Sequence, residues 1–257
     1  MKKLSSYANK RLKALTDSLH SYHQIDEPDL LHSIRVELKK IKSILNLLQY
    51  GLPNFRGHKH YIPFRTIFRR AGEIRQPEVI YKLLLQHQIG GITDSQIPNA
   101  DQEERLISAF KKDVPMFIVT VIAKRSKLKE YLKNLTEKKA RKYLAKRRRQ
   151  VKRLLFPVFE PDALHKTRKI IKEIIFLDWV DKDKPSVTFL KKIESRIGQW
   201  HDKQVLLKIL NSAQYKDQSA ILIASCQEDL VNLKMAIQAH YGKGEIWSVI
   251  MRIGIKI

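Results

Sequence analysis

Basic side chains recur at helical spacing near the start of the sequence. His32, Arg35, Lys39 and Lys42 follow one another at steps of three and four residues. At about 100° per residue they lie within an arc of about 80° on one helix face. An apolar stripe from Leu31 to Leu48 lies about a quarter-turn away, so the cations lie beside the buried face. Like charges at this spacing repel each other, and an anion between them would remove the repulsion. The alternative is an ordinary solvated face.

A second copy of this row occurs further along the chain. His165, Arg168 and Lys172 repeat the spacing of its first three members. Ile175 replaces the fourth basic residue, and Glu173 replaces the lysine that follows the third. Because the copy carries fewer positive charges, we expect it to bind anions more weakly than the first row.

Both rows belong to an internal repeat. The sequence DLLHSIR at 29–35 matches DALHKTR at 162–168. A second pair follows in the same order, AGEIRQPEV at 71–79 and IGQWHDKQV at 197–205. Each member of the second pair has a glycine, a basic residue three positions later and a valine four positions after that. Two matches in the same order indicate a duplication.

The elements that carry these residues are predicted to be helices. Apolar residues recur at steps of three and four nearly throughout, and no segment alternates as a strand does. We therefore predict an all-α protein. It would be one domain over 1–257, built from two four-helix bundles, repeat one at about 1–157 and repeat two at about 158–257. The predicted loops lie at about 51–60, 90–99, 156–161 and 181–185. The predicted helices span about 3–24, 29–49, 63–75, 77–89, 101–135, 138–155, 162–180, 186–198, 202–212, 216–241 and 245–253.

The net charge indicates which class of molecule the protein binds. The 257 residues include 50 Lys and Arg against 26 Asp and Glu, a formal net charge of +24. Residues 1–157 contain 34 basic and 14 acidic residues, whereas residues 158–257 contain 16 and 12. Such a field attracts polyanions, namely nucleic acid, anionic lipid or inorganic phosphate polymers. The alternative is a generically basic surface.

Several classes of protein are excluded by composition and motifs. The longest apolar stretch is too short to span a bilayer and no signal peptide is visible, so we predict a cytoplasmic protein without membrane insertion. One cysteine, Cys226, excludes an internal disulfide and a cysteine-cluster metal site. The sequence has no P-loop, dinucleotide fingerprint, G-x-S-x-G motif or acidic Mg²⁺ cluster. We therefore expect no catalysis, no cofactor and no metal.

Two further features support alternatives. The segment Lys138–Arg153 contains ten basic residues and no acidic one, which would suit a nucleic-acid-binding surface. The pair His201-Asp202 is similar to the HD dipeptide of metal-dependent phosphohydrolases, although no second His-rich motif accompanies it. Nucleic-acid binding and, after it, metal-dependent phosphate hydrolysis are thus the competing interpretations.

The motifs together resemble the CHAD domain, the conserved histidine α-helical domain. The resemblance is carried by LHSIRVELKKIK at 31–42 and IGQWHDKQV at 197–205, with the duplication and the helical pattern. It implies two bundles related by a pseudo-twofold axis, basic residues converging on a central groove or pore, binding of inorganic polyphosphate, and association with polyphosphate granules. By motif position it implies as ligands His32, Arg35, Lys39, Lys40, Lys42, Arg75, His165, Arg168, Lys172 and His201.

Three further basic residues complete the predicted site: Arg69, Lys124 and Arg196. Three positions depart from the family: Gln76 stands where the first half usually has Asp, and Glu173 and Ile175 replace basic residues of the second half. The sequence thus predicts a binding module for polyphosphate that works without catalysis.

Overall fold

The computed structural model describes residues 2–87, 89, 100–156, 160–180, 187–210 and 216–253. Within these ranges the chain is almost entirely helical and contains no strand, which confirms the predicted all-α class. Short 3₁₀ turns span Pro161–Ala163 and Asp178–Val180. The α-helices are α1 (Lys2–Gln24), α2 (Pro28–Gly51), α3 (Gly57–Gln86), α4 (Ala100–Asn134), α5 (Glu137–Leu155), α6 (Leu164–Leu177), α7 (Thr188–Ile209) and α8 (Lys216–Ile253).

Helix α2 begins and ends close to where its sequence predicts. Pro28 occupies its start and Asp29 its first turn, where a negative charge suits the positive end of the helix dipole. At the other end, the backbone N–H of Leu52 donates to the oxygen of Leu48. The predicted apolar stripe is fully buried, which fixes the rotation of this helix. Its members are Leu31, Ile34, Leu38, Ile41, Leu45 and Leu48.

Three predicted helix breaks are absent. Helix α3 runs through Pro77 and begins at Gly57, inside the segment predicted as a loop. Helix α7 is continuous across 199–201, and α8 is continuous across 242–244. A proline removes one backbone hydrogen bond, but Pro77 is itself buried and its helix keeps apolar contacts on both sides of it. The predicted loops at 90–99 and 181–185 lie outside the described residues.

The chain divides into two compact units, Met1–Tyr143 with Trp179–Lys182, and Leu144–Asp178 with Asp183–Ile257. In the first unit, α1 and α3 each pack against both α2 and α4, so the four helices form a bundle. In the second unit, α6 packs against α7 and α7 against α8. The core of the second unit includes Val151, Leu155, Ile170, Ile171, Ile174, Ile193, Ile197, Leu233 and Ile237.

Among the described residues, no helix combines the length and the apolar character that crossing a bilayer requires.

Candidate functional site

The first basic cluster forms where α2 packs against α3. Arg35 Nη1 donates a hydrogen bond of 2.7 Å to the main-chain oxygen of Phe68. The Arg35 guanidinium carbon also lies 4.1 Å from the centre of the Phe68 ring. One turn further along α3, a Cβ at Gly72 would lie 2.9 Å from Cζ of Arg35. The absence of a side chain at Gly72 therefore lets the guanidinium approach the backbone of α3.

Two aromatic rings of α3 lie beneath the predicted row. Tyr61 and Phe68 are seven residues apart and so share a helix face. Lys42 Nζ lies 4.8 Å from the centre of the Tyr61 ring, and Lys39 Nζ lies 5.9 Å from that of Phe68. Ring faces attract cations at these distances. The row of α2 therefore follows an aromatic edge of α3, with Arg35 at one end and Lys42 at the other.

Arg75 adds a second guanidinium to this cluster. Burial lowers the pKa of Arg35, and the positive charge of Arg75 lowers it further. Among the described residues, neither arginine forms an ion pair with a carboxylate, and the buried Nε of Arg75 has no hydrogen-bond partner. Two repelling cations and an unsatisfied buried donor are costly unless a further group compensates them. An anion with several oxygens would do so.

The second basic cluster has the same framework on α6 and α7. A Cβ at Gly198 would lie 2.7 Å from Nη2 of Arg168, so an arginine again lies over a glycine. Here, however, Arg168 Nε donates to Oε1 of Glu194 at 2.9 Å, and Lys172 Nζ lies 3.1 Å from the same oxygen. Burial opposes ionisation of Glu194, but the hydrogen bonds and charges of Arg168 and Lys172 lower its pKa on balance.

Two histidines lie beside the second cluster. The ring centres of His165 and His201 are 5.1 Å apart. Burial lowers the pKa of both histidines. The positive charge of Lys169 lowers the pKa of His165 further, and that of Arg168 lowers the pKa of His201 further. His32, three residues before Arg35, is exposed near the start of α2.

Two predicted ligands face away from the clusters. Lys40 Nζ is 2.7 Å from Oε1 of Glu37, which Arg11 of α1 also contacts at 3.1 Å. Lys40 therefore faces α1 and not α3. Arg196 faces α8, where its Nη1 lies 3.4 Å from the oxygen of Asn232.

Lys124 lies on α4, where its charge lowers the pKa of His60 after the larger effect of burial. The remaining predicted ligand, Arg69, is on α3 but 72% exposed, with its Nε 3.6 Å from Glu73.

The basic helix α5 has partners within the protein. Lys139 Nζ donates to the oxygen of Gly51 at 2.8 Å. Arg147 lies 3.3 Å from the buried carboxylate of Glu173. From its position in the sequence, Glu173 was expected to reduce the charge of the second row. In the structure its carboxylate instead links α6 to α5 through Arg147.

Sequence reasoning missed three residues that shape the clusters: Tyr61, Phe68 and Glu194. The seven-residue step from Tyr61 to Phe68 equals the step from Arg35 to Lys42, so matched spacing on paired helices could have identified the aromatic edge. Glu194 stands four residues before Gly198, as Phe68 stands four before Gly72. Extending the repeat alignment by three residues toward the N-terminus would therefore have paired Glu194 with Phe68.

No group of three or more His, Cys, Asp or Glu side chains in the described part of the chain is arranged to hold a metal ion. Cys226 is buried, and burial raises the pKa of its thiol.

Comparison with protein-family models, with curated proteins and with solved structures gives no match to this chain.

Proposed function

We propose that this protein binds inorganic polyphosphate, and that the cluster of α2 and α3 is its principal site. The observation that carries the proposal is the arginine pair. Arg35 and Arg75 lie close enough to repel, have no carboxylate partner among the described residues, and include an unsatisfied buried Nε. A phosphate oxygen at this position would accept the Arg75 Nε–H and neutralise both charges.

The cluster suits a thin, flexible chain of phosphates. Arg35 is held by the Phe68 oxygen and ring, so little side-chain freedom is lost when an anion binds. Lys39 and Lys42 continue the row along the rings of α3, and lysine contacts phosphate as a mobile point charge. Each phosphate neutralised releases counterions, so affinity should fall steeply with salt.

The duplication and the resemblance to the CHAD domain belong to the same proposal. The recurrent packing of an arginine over a glycine, Arg35 over Gly72 and Arg168 over Gly198, supports a common origin for the two units. We propose that each repeat derives from a four-helix bundle and that both basic rows serve one ligand in a central groove. Binding without catalysis, in the cytoplasm or at polyphosphate granules, completes the proposed role.

A competition experiment tests the ligand. Long polyphosphate and double-stranded DNA, at equal phosphate concentration, would compete for the protein in a fluorescence polarisation assay. A duplex about 20 Å wide is read by elements inserted into its grooves, whereas the cluster is a row beside a helix pair. We therefore expect polyphosphate to displace DNA. Equal or tighter binding of DNA would overturn the proposal in favour of the nucleic-acid alternative.

Arg35→Ala locates the site in the same assay. It should weaken polyphosphate binding by about 10- to 100-fold, because a hydrogen bond to a charged group contributes about 1.5–3 kcal/mol. Arg69→Ala is the matched control, since it removes the same charge from an exposed position of α3. Equal losses from both variants would mean that only net charge matters.

Incubation with polyphosphate and Mg²⁺ or Mn²⁺ separates binding from hydrolysis. We expect no release of phosphate, because the described residues contain no cluster that could hold a catalytic metal. Release that disappears in His201→Ala would instead support the phosphohydrolase alternative.

A further inference from the structure

The two clusters differ at one equivalent position. Four residues before the glycine, the first cluster has Phe68 and the second has Glu194. Phe68 offers Arg35 a ring face and a carbonyl oxygen, neither of which carries a formal charge. Glu194 offers Arg168 and Lys172 a carboxylate.

The Glu194 carboxylate pairs with both cations of the second cluster. Its Oε1 contacts Arg168 Nε at 2.9 Å and Lys172 Nζ at 3.1 Å. Its side chain is only 19% exposed and that of Arg168 24%, so water screens the pair less than it screens a surface pair. An incoming anion must therefore compete with Glu194 for the charges of the two cations.

We propose that Glu194 is an internal competitor for phosphate, which keeps the second cluster at lower affinity than the first. The inference rests on the proposed function and adds to it an order of occupancy. A polyphosphate binds first at Arg35 and Arg75, and it displaces Glu194 from Arg168 and Lys172 only at higher concentration.

The experiment isolates the second cluster. In an Arg35→Ala background, calorimetric titration with tripolyphosphate reports mainly the remaining cluster. Glu194→Gln keeps the shape of the side chain and removes its charge. We expect affinity to rise about tenfold, the equivalent of about 1.4 kcal/mol, because the arginine and the lysine lose their internal anion.

A matched control and a reciprocal variant test whether the effect is specific to Glu194. Glu228→Gln removes the same charge from an exposed position of α8 and should change affinity by less than about twofold, because exposed charges are screened. Phe68→Glu, in the otherwise unchanged protein, places the competitor in the first cluster and should weaken binding about tenfold. Glu194→Phe introduces the side chain that Phe68 provides in the first cluster. It is a second test if thermal melting shows that the Glu194→Gln protein is not folded.

The outcomes separate the two proposals. Suppose that the unmodified protein binds tripolyphosphate and that Arg35→Ala weakens this binding. If a folded Glu194→Gln protein then binds no more tightly than Glu228→Gln, Glu194 is only a structural partner of Arg168 and this inference is wrong. If affinity rises in Glu194→Gln and the gain is lost in Glu194→Gln with Arg168→Ala, the inference is supported. If no variant binds any phosphate polymer, the proposed function itself is wrong.

Discussion

Replacing Gly72 with alanine separates ligand binding from stability. The new Cβ would lie 2.9 Å from Cζ of Arg35 and still closer to its Nη1, so the guanidinium must leave its place over α3. That movement breaks the 2.7 Å hydrogen bond to the Phe68 oxygen. It also removes the best-oriented cation from the first cluster.

The two effects of Gly72→Ala can be estimated separately. Alanine is about 0.5–1 kcal/mol more favourable than glycine inside a helix, whereas losing a hydrogen bond from a charged group costs about 1.5–3 kcal/mol. The free energy of unfolding should therefore fall by about 0.5–2.5 kcal/mol. Affinity for polyphosphate should fall at least about tenfold, because a charge-assisted contact is worth about 1.5–3 kcal/mol.

Calorimetric titration and thermal melting measure the two quantities on one sample. Gly242→Ala is the matched control, because a Cβ there has no atom within 4 Å. That variant should gain about 0.5–1 kcal/mol of stability and bind polyphosphate unchanged. A folded Gly72→Ala protein with the affinity of the unmodified chain would refute the reasoning, since Arg35 would then be irrelevant to binding.

Three further predictions follow from the clusters. Arg75→Ala should weaken polyphosphate binding about tenfold in calorimetric titration, yet the melting temperature should stay equal or rise, because the variant relieves repulsion of Arg35. Arg69→Ala should change neither the affinity nor the melting temperature. Phe68→Leu should weaken binding about two- to fivefold in the same titration, since a cation–π contact contributes about 0.5–1 kcal/mol. Burial, and to a smaller extent nearby positive charges, lower the pKa of His165 and His201 below 6.5. The unfolded chain therefore binds more protons than the folded protein at low pH. The free energy of unfolding without ligand should fall as the pH drops through about 6.5. A bound anion raises both pKa values, so affinity for polyphosphate should increase as the pH falls from about 8 to about 6. An affinity that does not change over this pH range would contradict the prediction. So would an unchanged pH dependence in the double variant His165→Gln with His201→Gln.

Periodicity was sufficient to predict the all-helical class of the fold and the buried face of α2. The stripe from Leu31 to Leu48 is buried as predicted, because a three-and-four spacing of large apolar residues can be buried in only one rotation of a helix. That rotation also directs Arg35 and Lys39 toward α3. The helix breaks were less predictable: Pro77 lies within α3, because tertiary packing retains a helix that local rules would end.

The partners of each charge could not be predicted from a single helix. Lys40 is adjacent to Lys39 in sequence, yet it contacts Glu37 and faces α1. Arg196 contacts α8, and only the packing of α7 between α6 and α8 decides this. Glu194 lies outside the quoted motif of the second repeat, so its contact with Arg168 depends on how α6 and α7 pack. Spacing determines the face of a helix, whereas the neighbouring helix determines what that face contacts.

The most direct test of the central claim observes the Arg75 Nε–H itself. Arginine Nε–H signals can be followed by ¹H–¹⁵N NMR, and comparison with spectra of Arg35→Ala, Arg75→Ala and Arg69→Ala would assign them. If phosphate binds in the first cluster, added polyphosphate should shift the Arg35 and Arg75 signals, because the buried Arg75 donor gains an acceptor, while the exposed Arg69 signal changes little. Unchanged Arg35 and Arg75 signals in a sample that demonstrably binds polyphosphate would contradict the account and place the ligand elsewhere.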